Sequence, residues 1–163
     1  MTSDIIKERV CAEVEGDIAV FLIGMRINKP WKVWTWLSVA NAMTGMLKEL
    51  AAHPELGLLS TRGHFGFPNL MMLQYWKSAE HLKNYAHAAG KMHLPAWQAF
   101  NRKIGTGGDV GIWHETYVVP HGYSEAIYVN MPRYGLGLAG SIFPATGQRA
   151  SAAKRLAGAG KAM

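Results

Sequence analysis

The sequence predicts an α+β plait, in which helices cover one face of an antiparallel sheet. Three observations lead there. The run IAVFLIGMRIN (18–28) has strand length and the unbroken apolar composition of a strand covered on both sides. A stretch with apolar residues at three- and four-residue intervals follows it, and then come two strand-length stretches separated by Gly66 and Pro68. A second helical stretch and a further strand complete the order strand, helix, strand, strand, helix, strand.

Each element has a local reason. Residues 1–16 are polar and mixed and read as an N-terminal arm, ahead of a domain over 17–147 and a flexible basic tail over 148–163. Pro30 permits a helix to begin near Trp31, and Val33, Trp36, Leu37, Ala40, Met43, Leu47 and Leu50 carry its apolar stripe to about Ala52, where HPELG ends it. LLSTRGHFGF and PNLMMLQYWKS form a hairpin. Ser78 suits the N-cap of the next helix, whose stripe is Leu82, Tyr85, Ala86 and Ala89. That helix breaks near Gly90 and resumes around Pro95 with Trp97, Phe100 and Ile104 as its buried positions. GTGGD (105–109) is a turn, GDVGIWHETYVVP (108–120) contains a strand, and EAIYVNM (125–131) is a short one. Beyond Pro132 the chain is rich in Gly, Ala and Pro, and GQRASAAKRLAGAGKAM reads as a weak basic helix or disorder.

The composition bounds the function. At 163 residues the chain makes one ordinary domain. Its formal charge is +6, but no acid follows Glu125, whereas Arg133, Arg149, Lys154, Arg155 and Lys161 do. The folded part is left at about +1, without the basic groove that nucleic-acid binding needs. Cys11 is the single cysteine, which excludes a disulfide framework and a thiolate metal cluster and suggests a reducing compartment. MTSDIIKERV lacks the apolar core of a signal peptide, and DIAVFLIGM is too short to span a bilayer, so a cytoplasmic protein is expected. The tail, even with Trp31, Trp34 and Trp36 as interfacial anchors, has too few large apolar residues for stable membrane association. Because the strand 18–28 is apolar on both sides, the face away from the helices needs a cover, and a second copy of the chain is the expected one.

Alternation along a strand puts Val110, Ile112, His114, Thr116 and Val118 on one side of 110–119, and Trp113, Glu115, Tyr117 and Val119 on the other. His114 is therefore expected to face a pocket as a proton-transfer group. Glu115 is expected to face the helices or the rim, paired with a base such as Arg26 or Arg102. Arg26 and Asn28 end the first strand, where Arg26 suits a carboxylate, a propionate or an oxyanion. His93 precedes Pro95 at the start of a helical segment, where its ring can face a cavity. The six tryptophans are an aromatic load that suits an apolar pocket. Zinc spacing and a GxSxG nucleophile are absent.

IGMRINKPWKVW (23–34), LQYWKSAEHL (73–82), HLPAWQAFNRKIG (93–105), GDVGIWHETYVVP (108–120) and YVNMPRYGLG (128–137), in this order, resemble a family of small bacterial and fungal proteins labelled monooxygenase-like. That family is placed in the ferredoxin-like, dimeric α/β-barrel superfamily, and the resemblance covers most of residues 18–145. The superfamily includes cofactor-free antibiotic-biosynthesis monooxygenases, haem-degrading oxygenases, chlorite dismutases, dye-decolourising peroxidases and haem aldoxime dehydratases. The resemblance thus implies a homodimeric, oxygenase-type enzyme acting on a small apolar or aromatic molecule in a cavity between sheet and helices. It implies either no cofactor, with His114 as base, or haem, with His93 or His114 on the iron. An aldoxime dehydratase-like lyase and a non-catalytic binder of haem or an apolar ligand are the alternatives.

Overall fold

The computed structural model describes residues 4–88, 98 and 107–156. Its elements are β1 (Val10–Glu13), β2 (Ile18–Ile27), α1 (Val33–Ala52), a 3-10 turn (Pro54–Leu56), β3 (Leu58–Gly66), β4 (Asn69–Trp76), α2 (Ala79–His87), β5 (Val110–Val119), β6 (Ile127–Tyr128), α3 (Leu136–Ala139), β7 (Ser141–Pro144), a second 3-10 turn (Gly147–Arg149) and α4 (Ala152–Arg155). β3, β4, β2 and β5, in that spatial order, form an antiparallel sheet. With α1 and α2 between its strands, this is the order of a ferredoxin-like plait. β6, β1 and β7 form a second, smaller sheet. No described helix is long and apolar enough to cross a membrane.

β2 sits between two neighbours along its whole length, so its backbone groups are satisfied within the sheet and its side chains decide what packs on each face. Ala19 and Phe21 pack with Leu50, Trp76 and Tyr85, and Met25 and Ile27 pack with Val110, Trp36 and Val39. These are the helix contacts. Trp76 is 1% exposed, and its indole N–H donates to Gln74 Oε1 at 3.0 Å, which satisfies the buried amide beside it. The helices are tied together where the Tyr85 hydroxyl donates to Glu49 at 2.8 Å. Ser78 caps α2 by accepting from the His81 N–H.

Ile18 and Val20 point the other way and meet Ala12, Leu136, Tyr128 and Ile142. The small sheet thus covers one end of the helix-free face. The strand predicted over 18–28 and the hairpin are found, closed by a turn at Pro68, whereas the residues read as an arm are not loose. Val10, Cys11 and Ala12 are buried in β1 between β6 and β7, and burial pushes the Cys11 thiol up. A four-residue strand has too short a period to be read locally, and its partners lie more than a hundred residues along the chain. β7 comes from the Gly-rich stretch that showed no strand pattern. It can lie against β1 because Gly140 has no side chain: a Cβ there would collide with the Glu13 carbonyl oxygen. Of EAIYVNM, Ile127–Tyr128 is strand.

Of the stretch 148–163, residues up to Leu156 are described, and they include a short basic helix, one of the two expectations for it. Arg149 Nη2 donates to Glu13 at 3.0 Å, and Arg155 Nε donates to Glu125 at 2.8 Å. Ser151 caps α4, accepting from the Lys154 N–H. The expected helix around Pro95, with His93, Trp97, Phe100, Arg102 and Ile104, lies outside the described residues.

Two outcomes are expected. Trp76→Ala should cost about 3–5 kcal/mol, because it opens a cavity and strands the Gln74 amide; urea unfolding measures this. The Glu13 carboxyl is held below its ordinary value by hydrogen bonds from Arg149, so the contact contributes fully above the usual carboxylate range and is lost as pH falls through the depressed value. Melting temperatures of Glu13→Gln and the parent should therefore differ at neutral pH and converge in acid. A gap that does not change with pH would contradict this account.

Candidate functional site

Three contacts fix the end of the sheet where β2 stops. The Ile27 N–H donates to the Pro68 carbonyl at 2.9 Å, and the Asn28 N–H donates to the Asp109 carbonyl at 3.1 Å. Lys29 and Lys32 each place their Nζ 2.7 Å from one oxygen of the Asp109 carboxylate, and both hold that carboxyl below its usual range. The loop after β2 is thus clamped to the turn before β5. Arg26 is exposed, and its Nη1 donates to Asn69 Oδ1 at 3.3 Å rather than to Glu115 or Glu125.

β5 runs antiparallel to β2 with His114 opposite Ile23 and Thr116 opposite Phe21. Opposed residues share a face, and Phe21 belongs to the helix-side core, so His114 is on the helix-covered side. Its ring lies 5.6 Å from that of Phe21 at 44°, its side chain is exposed, and it makes no hydrogen bond among the described residues. This reverses the expected sides: Glu115 is expected to face the helices or the rim and His114 the other way, whereas His114 is the residue turned to the helices. Glu115 lies opposite Leu22 on the helix-free face and accepts a 2.6 Å hydrogen bond from the Tyr117 hydroxyl, pairing with neither Arg26 nor, among the described residues, any other base. Alternation separates the two side chains, but only the pairing with β2 shows which one turns to the helices.

The same register puts Arg26, opposite Gly111, on the helix-free face. His114 and Arg26 therefore do not converge, and Asn28 lies beyond the strand end. His93 lies outside the described residues. Among the described residues no three His, Cys, Asp or Glu side chains are grouped to hold a metal ion. The tryptophans do not share one pocket: Trp76 is core, while Trp31 and Trp34 are 74% and 84% exposed.

The helix-free face holds a cavity of about 350 Å³ where the small sheet and the segment after β5 meet β2 and β4. Ile18, Val20 and Leu73 form its apolar floor, and Tyr75, Tyr123, Tyr128 and Tyr134 bring four phenols to it. The Tyr128 hydroxyl accepts from the Gly137 N–H at 3.1 Å, and that of Tyr134 is hydrogen-bonded to His64 Nε2 at 3.1 Å. Gly135, at φ +52°, brings the backbone to where a Cβ would sit 3.4 Å from the Tyr75 hydroxyl. None of these residues was predicted as a site residue; the signal was the two tyrosines and two glycines of YVNMPRYGLG, whose positions mean nothing until β4 lies beneath them.

The monooxygenase af470-like family matches residues 18–136. Monooxygenase af470 of Aspergillus fumigatus is 28% identical over 148 residues, covering 78% of this chain and 52% of that protein, so the chain spans about half the length of this relative. Among solved structures, an aldoxime dehydratase (OxdRE) in complex with butyraldoxime superposes with a TM-score of 0.66 at 15% identity, over 84% of this chain and 41% of that one. A dimeric ferredoxin-like protein of unknown function from Jannaschia sp. CCS1 gives a TM-score of 0.42 at 18% identity, over 60% of this chain and 97% of that one. The superposition on the dehydratase speaks to fold alone; the plait is ferredoxin-like by its own strand order, β3-β4-β2-β5 with a helix after β2 and another after β4. With the match running from the first residue of β2 to the first of α3, this chain belongs to the monooxygenase af470-like family.

Proposed function

We propose that this chain is an oxygenase-type, monooxygenase-like enzyme that oxidises a small apolar or aromatic molecule held against the helix-covered face of the sheet, with His114 moving the proton. One observation carries the reading: the His114 imidazole stands on that face against the Phe21 ring, exposed and free of hydrogen bonds to the described residues. Family membership and the name of the Aspergillus fumigatus relative support the class of reaction. An imidazole is the side chain suited to taking a proton near neutral pH. Removal of a proton from an activated CH2 group leaves a carbanion that gives an electron to O2; combination of the two and loss of water turn the CH2 into a carbonyl. Phe21 would hold the flat apolar body of such a substrate beside the base. Arg26 and Asn28, given their positions, would act from the end of the sheet and not within the same pocket.

A haem-dependent reading, whether an oxygenase or an aldoxime dehydratase-like lyase, draws on the likeness to the aldoxime dehydratase. His114, whose imidazole makes no hydrogen bond among the described residues, would hold the iron, and His93 is the other candidate. Haem, when bound, supplies oxygen activation or dehydration of an aldoxime to a nitrile. The same face would suit a protein that only carries haem or an apolar ligand. We also propose a cytoplasmic homodimer. Leu22, Met71 and Trp113 lie half-buried on the part of the helix-free face that the small sheet does not reach, and a second copy placed there would bury them.

His114→Ala should reduce turnover about a hundredfold or more with an unchanged melting temperature; full activity in a destabilised variant would overturn the assignment. Adding haemin to the purified protein separates the two branches, because a Soret band that His114→Ala or His93→Ala abolishes establishes the haem reading, and its absence leaves the cofactor-free one. Light scattering should show a dimer that Leu22→Glu dissociates, and a stable monomer at micromolar concentration would defeat the dimer.

A further inference from the structure

The cavity on the helix-free face is on the opposite side of the sheet from His114, and its chemistry differs. The Tyr75 hydroxyl and the Ser124 hydroxyl line it and make no hydrogen bond among the described residues. Burial, and next to it the nearby Tyr128 and Tyr134, push the Tyr75 phenol up, so it stays protonated and able to donate. Glu125 is the acidic residue of the lining, and the Arg155 guanidinium engages it through two nitrogens. A cation stands at the rim. Arg62 is not itself in the lining, but it lies directly across from Leu73 in the β3–β4 register, and its guanidinium carbon is 5.0 Å from the centre of the Tyr134 ring; Leu73 and Tyr134 line the cavity. Arg62 has no carboxylate partner among the described residues, and its Nε is buried without a hydrogen bond. The hydrogen bond between Tyr134 and His64 holds the ring over which the guanidinium lies.

An apolar floor, two hydroxyl donors and a guanidinium, none of them engaged by a carboxylate among the described residues, together specify a ligand with an apolar body and one anionic acceptor group. We propose that this cavity binds a small apolar carboxylate, with Arg62 meeting the carboxylate and Tyr75 and Ser124 donating to it. The volume suits a molecule of modest size, since ligand pockets begin at roughly 300 Å³. The site is separate from the His114 face and does not depend on the oxygenase reading.

Calorimetric titration of the whole protein with octanoate and with octan-1-ol, which keeps the chain and removes the charge, tests this. Octanoate should bind about tenfold more tightly than octanol. Arg62→Gln should bring octanoate down to the affinity of octanol, while Arg62→Lys should retain part of the difference. Ser124→Trp, which fills the cavity from a loop and leaves the strands alone, should abolish binding of both. His114→Ala should bind octanoate as the parent does. Equal affinity for the two probes, no binding of octanoate at millimolar concentration, or parental octanoate affinity in Arg62→Gln would each overturn the proposal. So would loss of binding in His114→Ala, which would put the ligand on the other face. If Arg62→Gln dissociates the dimer and leaves octanoate binding intact, the guanidinium serves the contact between copies and the proposal fails.

Discussion

β2 must be covered on both faces, and most of the architecture follows from that requirement. Its odd-numbered residues, Ala19, Phe21, Met25 and Ile27, are met by α1, α2 and the side chains of β4. Its even-numbered residues, Ile18 and Val20, are met by the small sheet and α3. An apolar strand left open on one side would expose a patch of the size that drives association. The chain answers this at one end by returning its own N- and C-terminal strands across the face, β1 with β6 and β7. At the other end, around Leu22 and Trp113, its own described residues supply no such cover.

This division separates two chemical environments that lie back to back across one sheet. On the helix side, β5 presents His114 beside Phe21, an exposed imidazole against an aromatic ring. On the far side, the returning C-terminal segment builds a cavity from phenols and glycines over β2 and β4. Arg26, at the end of β2, belongs to the second face by its register, although its hydrogen bond to Asn69 keeps it at the strand end. The clamp of Lys29 and Lys32 on Asp109 fixes the start of β5 against the end of β2, and with it the register on which both environments depend.

The segment beyond β5 contributes more than its composition suggests. Gly135, Gly137 and Gly140 are placed where side chains would meet a phenol hydroxyl, the Tyr128 ring or the Glu13 backbone. Two of the basic residues after them are used within the chain, Arg149 on Glu13 and Arg155 on Glu125. Their charge is therefore partly neutralised inside the fold.

The sequence by itself determined the plait, because each of its long elements advertises its period within its own residues: the apolar run of β2, the stripe of α1, the Gly66–Pro68 break of the hairpin and the Ser78 cap. It also determined that His114 and Glu115 diverge, since alternation is a local property of a strand. Which of them faces the helices was decided by tertiary structure, because the pairing of His114 with Ile23 is a relation between strands far apart in the chain. The same holds for β1 and β7, too short to show a pattern and stable only as each other's partners. It holds as well for Tyr75, Tyr128, Tyr134 and Arg62, which come from three separate stretches. No local pattern could bring those side chains together, because their proximity exists only once the C-terminal segment has folded back over the face that β2 could not leave bare.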